Sequence, residues 1–160
     1  MVGQRFISLM QDHPQLELVA AYASDRSEGR TIGDIWKLPD IPLHEEMASV
    51  RLEKLDVSDT RKRGVKVCFS ALPADLAKGV EAEAAKSGLA LFSNAGAHRM
   101  DEDVPILIPE INFEHLGLVD LQRKSRGIEG FIVTNANCSV TGLSIALKPL
   151  IDNYSFKEVY

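Results

Sequence analysis

Four apolar runs in this chain each break off into a short polar turn, and that repetition restricts the fold more than any single motif does. LELVAAYA (16–23), VKVCFS (65–70), LALFS (89–93) and FIVT (131–134) are apolar and rich in β-branched or aromatic residues, so each reads as a strand. Polar turns follow them at 24–27, 70–73, 93–97 and 135–139, supplying Ser, Asn, Gly and Cys. The spacing predicts helices over 75–86, capped by Asp75 and stopped at Gly88, and over 113–124. A first helix is predicted over 2–11, with Phe6, Leu9 and Met10 on one face and His13-Pro14 ending it. Residues 104–108 read as a further strand, 50–57 as an edge strand and 36–42 as irregular, while VKVCFS is apolar enough for the centre of a sheet. Strands alternating with helices predict an α/β fold of the Rossmann-like kind, a mostly parallel sheet with helices on both faces. Ligands bind such sheets at the carboxyl ends of the strands, where the four turns lie. The pattern is that of a nucleotide-binding domain.

FIVT leads into NANCS, after which Val140, Leu143, Leu147 and Leu150 recur at helical spacing. Cys138 is thereby placed at the joint between a strand and the first turn of a helix. Unpaired backbone N–H groups and the positive end of the helix dipole favour an anion there, whether a thiolate or the oxyanion formed when it attacks a carbonyl. Cys138 is open to two readings, a nucleophile or a small apolar residue filling a gap. Asn135, Asn137, Ser139 and Thr141 favour the first. Cys68, inside an apolar strand, reads as core.

Composition narrows the partners. An apolar content of 45% and a charged content of 26% are ordinary for a globular chain of 160 residues. A net charge of -5 with no basic tract argues against nucleic-acid binding. No apolar run approaches a membrane span, and no signal-peptide pattern opens the chain. Two cysteines make no disulfide scaffold, no Cys/His spacing suits a metal, and the expected setting is reducing and cytoplasmic. His13, His44, His98 and His115 show no pattern that marks a catalytic base.

The segment N-A-N-C-S-V-T-G-L resembles the nucleophile segment of aspartate-semialdehyde dehydrogenases of the fungal and archaeal type, usually close to N-P-N-C-S-T-T-G-L. Ala136 replaces a proline and Val140 a threonine, and neither change removes a chemical group from the nucleophile. Further motifs follow the same family in order. Val2-Gly3-Gln4 matches the end of G-A-T-G-x-V-G-Q, with Gly3 as the glycine that allows close helix packing. The preceding strand and the other phosphate-loop glycines are absent. A-S-D-R-S-E-G (23–29) matches A-S-x-R-S-x-G. Ser70 and Leu72 lie in F-S-A-L-P, which lines the cofactor in the family. Asn94 and Arg99 lie in the S-N-A motif, whose arginine is associated with the substrate phosphate. Arg99 taken alone reads as a surface residue, and Glu110 and Asn112 as turn and cap residues.

The resemblance implies NADP as cofactor, bound by Gly3, Gln4, Ser24, Arg26, Ser27, Ser70 and Leu72. Hydroxyls and a guanidinium suit a 2′-phosphate, whereas Asp25 would favour NAD if it pointed inward. It also implies Cys138 as catalytic nucleophile, Asn94 and Arg99 as substrate and phosphate ligands, and no metal. The implied reaction is reductive dephosphorylation of aspartyl phosphate to aspartate semialdehyde in threonine, methionine and lysine-type biosynthesis, by a homodimer or homotetramer. Residues 1–135 would be the cofactor domain, incomplete at its start. Residues 136–160 would be the nucleophile helix and the beginning of a catalytic domain, with FKEVY as its first strand. The family's acid–base histidine lies downstream, so these residues alone are expected to be inactive. A malonyl-CoA reductase-like enzyme and a non-catalytic fragment of the dehydrogenase are the alternatives.

Overall fold

The structure is a computed structural model that describes residues 1–24, 26–154 and 158. Among the described residues six strands run β1 Ala21–Ala23, β2 Leu52–Lys54, β3 Val67–Ser70, β4 Ala90–Ser93, β5 Ile106–Leu107 and β6 Phe131–Asn135. Helices α1 Val2–Met10, α2 Ile32–Ile35, α3 Glu45–Ser49, α4 Val57–Lys62, α5 Ala74–Lys86, α6 Pro109–Asn112, α7 Leu118–Arg126 and α8 Cys138–Asn153 connect or follow them. A 3-10 helix, Phe113–Gly117, precedes α7. All strand pairs are parallel, in a four-stranded sheet ordered β3-β4-β6-β5 and a separate pair β1-β2.

Register divides the larger sheet into two faces. Cys68, Leu91 and Ile132 stand opposite one another, as do Ser70, Ser93 and Thr134. On this face Leu91 and Ile132 join Ala84, Ala85 and Leu89 in the buried core, with Cys68 packed against it. The α5 helix turns Ala77, Glu81, Ala84 and Ala85 inward, and small side chains let it approach closely. Gly130 is obligatory here, because a Cβ would overlap the carbonyl oxygens of Ala85 and Leu89. The opposite face carries Phe69, Phe92 and Phe131 as a ladder with ring centroids 5.9 Å apart. Phe6 of α1 covers one end at 5.2 Å from Phe69, and the Arg123 guanidinium sits 5.1 Å from the Phe131 ring. Helices therefore flank both faces, as the alternation predicts.

Several local expectations are corrected. Only Ala21–Ala23 of the predicted strand 16–23 is extended pairing, because its one described neighbour, β2, is three residues long. Residues 50–57 likewise yield only β2, since the Asp56 side chain accepts from the Asp59 amide and starts α4 at Val57. VKVCFS lies at the edge of the four-stranded sheet among the described residues, not at its centre. Pro73, not Asp75, holds the N-cap position of α5, and Asp75 falls in the first turn, where its charge suits the helix dipole. Gly88 does end that helix, at φ +84°. The helix expected from Val140, Leu143, Leu147 and Leu150 does form, as α8, with Val140, Leu143 and Leu150 exposed and Leu147 half-buried. Asp25 and, apart from Glu158, the proposed strand FKEVY lie outside the described residues.

The short strand β5 leaves part of β6 without a ladder partner, and a side chain fills the gap. Gln122 of α7 is fully buried. Its Oε1 accepts from the Ile132 amide at 2.7 Å, and its Nε2 donates to the Ile132 carbonyl at 3.0 Å and that of Asp103 at 2.9 Å. One amide thus imitates a strand residue.

Candidate functional site

Because β3, β4 and β6 are parallel and in register, their carboxyl ends open side by side. The turns at 70–73, 93–97 and 135–139 therefore share one edge of the sheet. The turns are tied together: the Asn94 backbone amide donates to the Ser70 carbonyl at 2.9 Å, and the Asn135 side chain donates from Nδ2 to Asn94 Oδ1 at 2.6 Å. Arg99 bridges the same two residues, donating from Nε to the Asn135 carbonyl at 2.9 Å and from Nη2 to the Asn94 carbonyl at 3.1 Å. A guanidinium suits this task because its donors are held in a rigid plane. Asn94 and Arg99 are thus brought together, and Asn135, read from sequence only as a polar neighbour of Cys138, joins them.

Three residues beyond Asn135, α8 begins. Asn137 is its N-cap, and its Oδ1 accepts from the Ser139 amide at 2.9 Å while its carbonyl accepts from the Thr141 amide at 2.8 Å. Cys138 is the first residue of the helix and is exposed, with Sγ 3.8 Å from Asn137 Oδ1. Cys68 differs in setting: it is partly buried, and burial pushes its thiol up. Cys138 fills no gap among the described residues.

The first turn of α1 abuts the turn after β3, where a Cβ added at Gly3 would lie 3.9 Å from that of Ala71. That is ordinary contact, so close packing does not require a glycine at position 3. The Gln4 side chain is spent on structure, donating to the Ile35 carbonyl at 2.7 Å and accepting from the Lys37 amide at 2.9 Å. Only its backbone is left to face a cofactor. The Ser70 hydroxyl is likewise buried and engaged, so that turn too offers backbone, while Leu72 is half-buried. After β1, the Ser27 amide donates to the Ser24 carbonyl at 2.8 Å, a tight turn that leaves Ser24 and Arg26 exposed. That turn follows the separate β1-β2 pair, and no strand pairing among the described residues joins it to the other three.

The family follows from comparison. A family model described as semialdehyde dehydrogenase, NAD binding domain, matches residues 1–119. The chain belongs to the semialdehyde dehydrogenase family. The aspartate-semialdehyde dehydrogenase of Methanothermobacter thermautotrophicus is 44% identical over the whole chain, which spans 46% of that protein. The Saccharomyces cerevisiae enzyme of the same name is 38% identical over 96% of the chain and 43% of its own length. A crystal structure titled aspartate semialdehyde dehydrogenase with NADP, from Candida albicans, superposes with a TM-score of 0.84. It is 36% identical over 97% of this chain and 45% of that one. The chain therefore spans less than half the length of these family members. Residues 1–119, which the NAD-binding family model matches, contain β1 to β5 of the parallel sheets and the turns at 70–73 and 93–97.

Some residues escaped the sequence reading. Asn112, left open as a turn or cap residue, clamps the segment after β5: its Oδ1 accepts from the Ile108 amide at 2.8 Å and its Nδ2 donates to the Ile106 carbonyl at 2.9 Å. His98 is buried, with Nδ1 2.8 Å from Asp101 Oδ2. Glu81 had a signal available, as the one charge on the alanine face of α5. Among the described residues no His, Cys, Asp or Glu group is arranged to hold a metal, and no helix is long and apolar enough to cross a membrane.

Proposed function

We propose that this chain is the cofactor-binding and nucleophile-bearing part of an NADP-dependent aspartate-semialdehyde dehydrogenase, interconverting aspartyl phosphate and aspartate semialdehyde. The observation that carries this is the exposed Cys138 at the start of α8, beside the Asn94–Arg99–Asn135 cluster. In the oxidative direction the Cys138 thiolate attacks the aldehyde carbon, forming a C–S bond, and the resulting oxyanion faces the amides at the start of α8. Loss of hydride from that carbon leaves a thioester on Cys138, and attack by inorganic phosphate releases the thiolate and the acyl phosphate. NADP, when bound, supplies the hydride acceptor.

The residues present fit that cofactor. The first turn of α1 presents unpaired amides next to the 70–73 turn, which suits a pyrophosphate. The exposed Arg26, with Ser24 and Ser27, suits a 2′-phosphate, and the Candida relative is a complex with NADP. Arg99 is anchored through Nε and Nη2, leaving Nη1 as the end offered to a substrate phosphate. The exposed apolar residues of α8 favour assigning residues 136–160 to a second domain. This reaction would place the protein in threonine, methionine and lysine-type biosynthesis in the cytoplasm, as a homodimer or homotetramer.

The test is made on a full-length enzyme carrying this domain. Cys138→Ser abolishes turnover and retains NADP binding, and iodoacetamide labels Cys138 well ahead of Cys68 near neutral pH. NADP with a substrate analogue slows that labelling. Preferential labelling of Cys68, or a serine variant keeping most of its activity, would move the nucleophile elsewhere.

A further inference from the structure

Beneath the clustered turns lies a buried carboxylate that the reaction above does not use. Glu81 is wholly buried on the inward face of α5. Its Oε1 accepts two hydrogen bonds, from Ser70 Oγ and from Ser93 Oγ, each at 2.6 Å. These serines are the last residues of β3 and β4 and stand directly opposite each other in register. Ser93 Oγ in turn accepts from the Ala95 amide at 3.0 Å, and the Asn94 amide donates to the Ser70 carbonyl at 2.9 Å. One oxygen atom therefore governs where two adjacent strands end and how the chain leaves each.

The second oxygen sharpens the point. Glu81 Oε2 is buried with no hydrogen-bond partner, and the nearest cationic candidate is His98 Nε2 at 3.9 Å. That ring is itself occupied, with Nδ1 against Asp101 and Nε2 3.2 Å from the Lys78 carbonyl. An unpaired carboxylate oxygen in the interior is unfavourable. Alanine or leucine would fill this face without it, as Ala77, Ala84 and Ala85 do on either side. Packing thus gives no reason for a glutamate at 81, whereas the two serine hydroxyls do.

We propose that Glu81 is a positioning residue for the cofactor and substrate site. Its carboxylate holds the 70–73 and 93–97 turns as one unit. Through the second turn it sets Asn94 and Arg99 against Asn135, at the foot of the nucleophile helix. What those turns bind rests on the functional reading above; the clamp itself does not.

Two measurements on a full-length enzyme carrying this domain separate the two ideas: amide hydrogen exchange without cofactor, and titration with NADP. Glu81→Leu should speed exchange of the Asn94 and Ala95 amides by about tenfold relative to that of Val133, and weaken NADP by about tenfold. Adding Ser70→Ala to it should change neither further, because the only bond of that hydroxyl is already gone. Glu81→Gln, whose amide oxygen still accepts both hydroxyls, should stay within about threefold of the parent chain on both readouts. Ala84→Gly loosens the same helix without touching the turns. It should speed exchange through α5 and β4 alike and leave NADP affinity unchanged. If Glu81→Leu does not fold, Ser70→Ala with Ser93→Ala removes both donors and carries the same expectation for the Asn94 amide and for NADP; Ala95 is then not read, because its amide loses the Ser93 oxygen directly. An exchange pattern matching Ala84→Gly, or unaltered Asn94 and Ala95 amides, would overturn the clamp whatever NADP does. A full-length parent enzyme that ignores millimolar NADP while the turn amides respond as expected would instead overturn the cofactor reading and leave the clamp standing.

Discussion

Gln122 allows the contribution of one side chain to the sheet to be worked out and checked. Replacing it with leucine nearly conserves volume, so the change isolates the amide. The Ile132 amide and carbonyl, both at a fully buried residue, lose their partners, as does the half-buried Asp103 carbonyl. Each buried orphan costs about 1–3 kcal/mol, so the Ile132 pair costs roughly 2–6 kcal/mol. Burying a leucine in place of an amide offsets about 1–2 kcal/mol of this. Taken at the middle of those ranges, the expected net destabilisation is about 2–3 kcal/mol. In a chain of this size that lowers Tm by roughly 5–15 °C. Urea unfolding followed by circular dichroism reads the free energy, and exchange at the Ile132 amide reads the local effect. Gln122→Glu is the informative companion: only the protonated introduced carboxyl can both accept from Ile132 and donate to it. Its folded-state pKa should then lie above its unfolded one, so the variant gains stability as pH falls through the folded value. A loss below about 1 kcal/mol for Gln122→Leu would mean that water or a shifted β5 replaces the side chain. The account of how β6 is held would then be wrong.

Two further expectations concern charge. Asp103 is held below the usual carboxylate range first by its hydrogen bonds to Arg126, while burial opposes the shift. A depressed folded pKa contributes stability that is present above the unfolded value of about 3.9 and is lost as pH falls through the folded one. Asp103→Asn should therefore be less stable than the parent by about 1 kcal/mol at neutral pH, with the gap closing in acid; a gap constant with pH would discount the Arg126 pair. In a full-length enzyme, Arg26→Ala should weaken NADP more than NAD, by about 1–3 kcal/mol. Equal losses in the two titrations would show that the turn after β1 does not read the 2′-phosphate.

What the sequence determined by itself was the order of elements and the place of the chemistry. FIVT followed by NANCS specifies a buried strand running into a helix, because β-branched residues suit a sheet and Asn137 caps the next turn through its own side chain. Those are local matters, settled within a few residues, and so was the stop at Gly88. Strand lengths were not local. Residues 16–20 carry the pattern of a strand and lack its pairing, since a ladder needs a neighbour that no local pattern reveals. The apolar stripe of α8 was legible as a stripe, but whether it meets a partner depends on what surrounds it, and here it stays exposed. The tertiary structure alone brought Glu81 under Ser70 and Ser93, Arg99 onto Asn135 and Gln122 onto Ile132. These contacts join residues 10 to 36 positions apart, through side-chain directions that only packed elements define.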